Sequence, residues 1–349
     1  MIDNSSTINK FILYFIISKI LMSLVFFVIM PLIFDRNIFR YDDFAYYISG
    51  DFGTGRNIGY RWLLWLLGIK SLDAVLPIFL AFIINISVDI VWINLVSKHL
   101  NFKGLFLFVL MLGLQPYAAV YTIKFSPILF AKIGLLFFCW ELFRGGFNKI
   151  KQKTLSLGEM IFWTLLTLVR NSNLFIAAPY MFLKLRNKPL IGILICFCFT
   201  FGILYSTWYD GLVVGISPSN WPWSLNYMKE LLGIENNFVG LIATFFSRVI
   251  LLFGAREKLH NLGIEPFLVW GIPALELCIY ILLACIQFFG FCVAMRYIFK
   301  RYGIASFAIL VPIIFSILTV SHQRYLIPFI PICLFGLALA FDRIVKQFK

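Results

Sequence analysis

Eight apolar runs, each close to the length of a membrane-crossing helix, divide this chain: 11–34, 75–97, 104–122, 126–143, 189–208, 274–297, 304–320 and 325–342. A helix needs about 20 apolar residues to cross roughly 30 Å of hydrocarbon, and lipid offers no other way to satisfy the backbone of a segment that does not close into a barrel. A further stretch, 158–184, is broken by Arg170-Asn171-Ser172-Asn173 and reads as two shorter helices. The run 238–254 carries Arg248, so spanning, re-entering and lying at the interface all stay open for it. Hydrophobic residues make up 61% and charged residues 13% of 349, against roughly 45–50% and about 25% in soluble proteins. A water-soluble fold has too little interior for so much apolar surface. The expectation is an all-α, polytopic transmembrane helical bundle of about 9–11 membrane helices, forming one transmembrane domain over 1–349 with no soluble domain attached.

Charge then orients the threading. The formal net charge is +14, which in a soluble protein would suggest nucleic acid. Here the basic residues fall in short loops between apolar runs, so nucleic acid is not an expected partner. Lys98/Lys103, Arg144/Lys149/Lys151/Lys153, Lys184/Arg186/Lys188, Arg296/Lys300/Arg301 and Arg343/Lys346/Lys349 are all placed in the cytoplasm by the positive-inside rule. Both termini are then cytoplasmic, and the halves of 158–184 go out and back. The first run is longer than a signal-peptide core and lacks a small-residue cleavage site, so it reads as a retained anchor. The seven cysteines lie inside apolar stretches with no metal-ligand spacing, and structural disulfides are not expected.

The extracytoplasmic side then holds two loops of unusual composition. Loop 35–74 contains Asp35, Asp42, Asp43 and Asp51, in a chain with only 16 acids. Loop 208–237 contains Trp208, Trp221 and Trp223 beside Pro218 and Pro222. Asp42-Asp43, followed by Tyr46, offers one carboxylate to take a proton from an acceptor hydroxyl and another to hold a cation or a sugar hydroxyl. Plain solvation of a loop is the alternative. His322-Gln323-Arg324-Tyr325 stands where the last apolar run begins, and its guanidinium suits a phosphate held by two oxygens; an interfacial anchor is the alternative. Arg170 and its polar neighbours interrupt an apolar stretch, where such groups face either a cavity or a simple turn. Lys132 is read as snorkelling rather than pairing with a lipid phosphate. Asp89 and Glu276 lie within apolar runs, where isolated acids mark an ion path or a partner helix. Cys278, Cys285 and Cys292 share one helical face and are read as a packing stripe. Trp221 and Trp223 are candidates to stack on a sugar ring, with an interfacial belt as the commoner role.

In this order these pieces resemble the GT-C class of integral membrane glycosyltransferases, which use polyprenyl-phosphate sugars. The likeness rests on Asp42-Asp43-x-x-Tyr46 after the first helix, on Val169-Arg170-Asn171-Ser172-Asn173-Leu174 running to Pro179, and on Arg324-Tyr325-Leu326-x-Pro328. The resemblance implies Asp42 as general base or acceptor-binding acid, Asp43 as its support or as a ligand for a cation, and Arg324 as the clamp on the donor phosphate. His322 and Arg170 join the phosphate side, and Tyr46, Arg56, Trp221 and Trp223 the substrate side. It further implies a polyprenyl-phosphate-linked sugar donor, a lipid-linked glycan or cell-surface polysaccharide acceptor, and contact with membrane lipids. A divalent cation such as Mg2+ or Mn2+ is one candidate cofactor, and the sequence leaves that open. The chain departs from the pattern in lacking the C-terminal soluble domain of several branches and in carrying Asp43 where some have Glu.

A second likeness is to polysaccharide polymerases of the Wzy/EpsG type, through Arg36, Arg40, Arg56 and Arg61 in the first loop and Gly59-Tyr60 before a Trp/Leu-rich run. A polysaccharide-lipid transporter is a third reading, but it calls for two related halves with matching broken helices, and one break is seen. The richness in Ile, Phe, Lys and Asn points to a bacterial inner membrane, with the active face periplasmic.

Overall fold

A computed structural model of the chain describes residues 5–25, 28, 58–69, 75–115, 122, 125–152, 155–170, 173–184, 236–253, 273–318 and 325–347. Among these residues the structure is helical throughout, with no strand. The helices are α1 (Ser5–Leu24), α2 (Ile58–Leu66), α3 (Val75–Ser97), α4 (Phe102–Leu114), α5 (Pro127–Gln152), α6 (Leu157–Val169), α7 (Leu174–Lys184), α8 (Asn237–Phe253), α9 (Pro273–Tyr302), α10 (Phe307–Leu318) and α11 (Ile330–Gln347). Ser6–Leu24, Val75–Ser97, Ile281–Tyr302 and Ile327–Gln347 are long and apolar enough to cross a membrane. Such helices, with large apolar side chains exposed along their outer faces, mark a membrane protein.

Two helix pairs set the direction of the bundle. Phe11 of α1 packs against Phe102 and Phe106 near the start of α4, while Ser18 lies against Gly113 near its end. These two helices therefore run parallel. In the second pair, Gly290 of α9 lies against Cys333 of α11, and Ala294 against Gly336, so these also run parallel. A Cβ on Gly336 would stand 1.7 Å from the Gly290 carbonyl oxygen, so the contact is backbone to backbone. Small residues permit this approach where lipid supplies no hydrophobic drive between helices.

At one end, His99 sits among Phe143, Tyr297 and Phe335, and Arg301 Nη1 donates to Tyr297 Oη at 2.9 Å. Here too Asp342 of α11 reaches the start of α4, where its Oδ2 accepts from the Asn101 backbone N–H at 2.7 Å. That carboxylate satisfies an orphan donor at a helix N-terminus and faces the positive end of the helix dipole. Gly104 leaves it room, since a Cβ there would fall 2.5 Å from the carboxyl carbon. At the same end α6 starts with a capping box between Ser156 and Glu159, and Glu159 pairs with Lys184 and accepts from Tyr180 at 2.9 Å.

Several sequence expectations change at this level. The first helix starts at Ser5 rather than at residue 11, and α5 runs on to Gln152, past Arg144 and Lys149. Loop 35–74 contains a helix, α2, whose Gly59 packs on the Leu168 backbone and whose end turns at Gly68 with φ +63°. The cysteine stripe is not a packing face among the described residues: Cys285 and Cys292 are exposed, and Ala284, Gly290 and Ala294 make the buried side of α9. The segment 189–208, Glu276 and Cys278 fall outside the described side chains.

Candidate functional site

The end of the bundle opposite His99 is built around the break between α6 and α7. The polar quartet there stops α6 because Arg170 leaves helical geometry, with φ −145° and ψ 107°. Its N–H still donates to the Leu166 carbonyl at 2.9 Å, and its own carbonyl accepts from the Asn173 N–H at 2.9 Å. Asn173 is completely buried. Its Nδ2 donates to the Leu166 carbonyl at 2.9 Å and to the Phe130 carbonyl of α5 at 3.2 Å. One amide thus ends α6 and ties the break to α5. Gly134 is what allows it so close, because a Cβ there would meet Asn173 Oδ1 at 2.7 Å.

The break aims Arg170 at the start of the last helical segment. Its guanidinium carbon lies 5.1 Å from the centre of the Tyr325 ring, within the range of a cation–π contact. Ile128, Arg170, Asn173, Ser316, Tyr325 and Pro328 line a cavity of about 20 Å3 between α5, α7, α10 and the approach to α11. That volume suits about one water molecule and is far below the several hundred Å3 of a ligand pocket. Arg170 forms part of its wall, so the cavity is a small seat beside the guanidinium. Tyr60 of α2 joins the same end, donating from its hydroxyl to the Phe125 carbonyl at 2.5 Å and stacking with the Phe125 ring.

The sequence motifs 169–174 and 324–328 are thus brought together, through Arg170, Asn173, Tyr325 and Pro328. Asp42, Asp43, Tyr46, Arg56, Trp221, Trp223, His322 and Arg324 lie outside the described residues. No family model, curated protein or solved structure matches this chain. The resemblance rests on its motifs alone. Among the described residues no group of three or more His, Cys, Asp or Glu side chains has the makings of a metal site.

A second polar cluster lies on the neighbouring face of α5. Lys132 does not snorkel: it is buried, with its ammonium 2.5 Å from Asp89 Oδ1 and 3.5 Å from Asn85 Oδ1. Asn85 Nδ2 donates to the Ala81 carbonyl at 3.0 Å and the Thr122 carbonyl at 3.3 Å. Asp89 is therefore a pairing residue between helices. Lys19, a residue that the sequence reading passed over, is fully buried near this pair. Its only sequence signal is a lone lysine four residues after Phe15 within an apolar run.

Proposed function

We propose that this chain is a GT-C-type membrane glycosyltransferase that takes a sugar from a polyprenyl-phosphate-linked donor on the extracytoplasmic face. In this reading the bundle has about 9–11 membrane helices, both termini are cytoplasmic, and the protein lies in a bacterial inner membrane. The observation that supports it is the stacking of Arg170 on Tyr325. Two of the three motifs behind the resemblance, far apart in sequence, meet at one end of the bundle and bring a guanidinium to Tyr325, the residue after Arg324 in sequence. In this reading Arg170 and Arg324 together suit a phosphate that gains negative charge as it leaves.

The step is a displacement at the anomeric carbon. The acceptor hydroxyl oxygen forms a bond to that carbon, and the bond from the carbon to the donor phosphate oxygen breaks. Asp42 takes the hydroxyl proton, and the electron pair of the broken bond stays on the polyprenyl phosphate, held by Arg324 and Arg170. Asp43 orients Asp42 or holds a cation, and Tyr46, Arg56, Trp221 and Trp223 contact the glycans.

Purified protein in detergent, given polyprenyl-phosphate monosaccharides and lipid-linked glycans, tests this by mass spectrometry. A glycan heavier by one sugar, with free polyprenyl phosphate released, is the expected product. A ladder spaced by whole repeat units from lipid-linked oligosaccharide alone would instead make the protein a Wzy/EpsG-type polymerase. Asp42→Asn is expected to lower turnover by about 10²- to 10⁴-fold, as for loss of a general base, with membrane insertion unchanged.

A further inference from the structure

The cluster around Lys19 has a charge imbalance that its own residues do not cancel. Three helices each place one ion in the interior: Lys19 from α1, Asp89 from α3 and Lys132 from α5. Asp89 neutralises one lysine, so one positive charge is left over. Lys132 has the closer claim, at 2.5 Å and with Asn85 beside it. Lys19 feels the attraction of Asp89 and the repulsion of Lys132. Its ammonium lies 5.8 Å from the Phe15 ring centre and donates no hydrogen bond among the described residues. A buried ion without a counter-charge is strongly unfavourable in an apolar interior.

The surroundings indicate what neutralises it. Phe11, Phe15, Lys19 and Ser23 form the inward stripe of α1, spaced four residues apart. Ser23 Oγ, one turn beyond Lys19, is also buried and without a partner among the described residues. Two orphan donors on successive turns, about 5–6 Å apart at their Cβ atoms, match a group with several acceptor oxygens better than a single-atom ion. Lys132 lies about 7.5 Å along α5 from Pro127. That helix end belongs to the Arg170 end of the bundle, where Ile128 and Arg170 line one cavity. Lys132 therefore sits one to two turns below that end, within reach of a long lysine side chain bound to an interfacial group.

We propose that Lys19 and Ser23, backed by the Lys132–Asp89 pair, bind one singly charged phosphate oxyanion at the Arg170 end of the bundle. The phosphate is either the head group of an anionic lipid or a free phosphate, and a single negative charge makes the cluster neutral. This site is separate from the Arg170 seat, and its test needs no sugar substrate, so it stands or falls independently of the transferase reading.

Thermal unfolding of the full-length protein in a neutral detergent is the test, with phosphatidylglycerol, inorganic phosphate or an uncharged galactolipid added in turn. The wild type is expected to gain stability with an anion and not with the galactolipid, since a ligand that binds only the folded state raises Tm. A gain with phosphatidylglycerol alone assigns the site to a lipid; a gain with inorganic phosphate as well assigns it to the free anion. Lys19→Met is expected to need at least tenfold more anion for the same gain, while its Tm without anion is no lower than wild type. Ser23→Ala, a milder change, is expected to need several-fold more, and it decides the matter if Lys19→Met fails to fold. An unchanged anion response in these variants, or no response in the wild type, overturns the proposal.

Discussion

Asn173 joins two helices through one amide group, donating to carbonyls on α5 and α6 while the cavity wall closes over it. Asn173→Ala removes both bonds, at about 0.5–1.5 kcal/mol each, while the Leu166 carbonyl keeps the Arg170 N–H. Gly134→Ala is expected to destabilise by a similar amount, because its Cβ would fall 2.7 Å from Asn173 Oδ1. The two share one cause, so the double variant should cost clearly less than the sum of the single ones. Denaturant or thermal unfolding of the four proteins measures this, and strict additivity would contradict the clamp. At the other end, His99 carries a pH dependence. Burial, with Arg301 and Lys98 adding repulsion, pushes its imidazole down from the ordinary 6.5 to about 4. The ring is neutral in the fold, leaving Nδ1 to accept from the Tyr297 hydroxyl 3.1 Å away. Between about 6.5 and about 4 the unfolded chain binds the proton more readily. Stability is therefore complete above about 6.5 and falls as pH drops towards about 4, and in His99→Gln this part of the Tm-versus-pH curve should flatten.

At the scale of elements, the crossing of α9 and α11 decides between two readings of one helix. Spacing alone places Cys278, Cys285 and Cys292 on one face, but spacing does not tell which face meets protein and which meets lipid. In a membrane both are apolar, so the usual contrast between core and surface is absent from the sequence. The buried face carries Gly290 and Ala294 against Gly336, with backbone touching backbone. Gly336→Val is expected to separate the two helices and cost about 3 kcal/mol or more. Cys285→Ser and Cys292→Ser should stay within about 0.5 kcal/mol, as exposed positions do. Detergent-solubilised unfolding separates these cases, and a large effect of the cysteine changes would restore the packing stripe. The break at 170–173 was legible for the opposite reason: four polar residues inside an apolar run have few places to go. The Lys19–Asp89–Lys132 cluster was not, because each ion stands alone in its own run and only the tertiary fold brings them together.

The whole molecule has two ends of different chemistry, and this bears on its orientation. His99, Arg144, Arg301 and Asp342 mark one end; Tyr60, Phe125, Arg170 and Tyr325 mark the other. The parallel pairs α1–α4 and α9–α11 run between these ends in the sense that the basic loops alone require. The positive-inside rule alone puts Lys98, Arg144, Arg296, Arg301 and Arg343 on one side, and the described residues beside them converge. If the positive-inside rule holds for this chain, the His99 end faces the cytoplasm and the Arg170 end faces outwards. Single cysteines placed in a background without the seven native ones test this directly. Ser172→Cys, between Arg170 and Asn173, is expected to react with a membrane-impermeant maleimide in intact cells. Lys98→Cys, exposed beside His99, should react only after the membrane is opened. The reverse pattern would turn the molecule over and move the Arg170 site to the cytoplasmic face, away from the face proposed for transfer. Equal labelling of both from outside would contradict the two-ended arrangement itself.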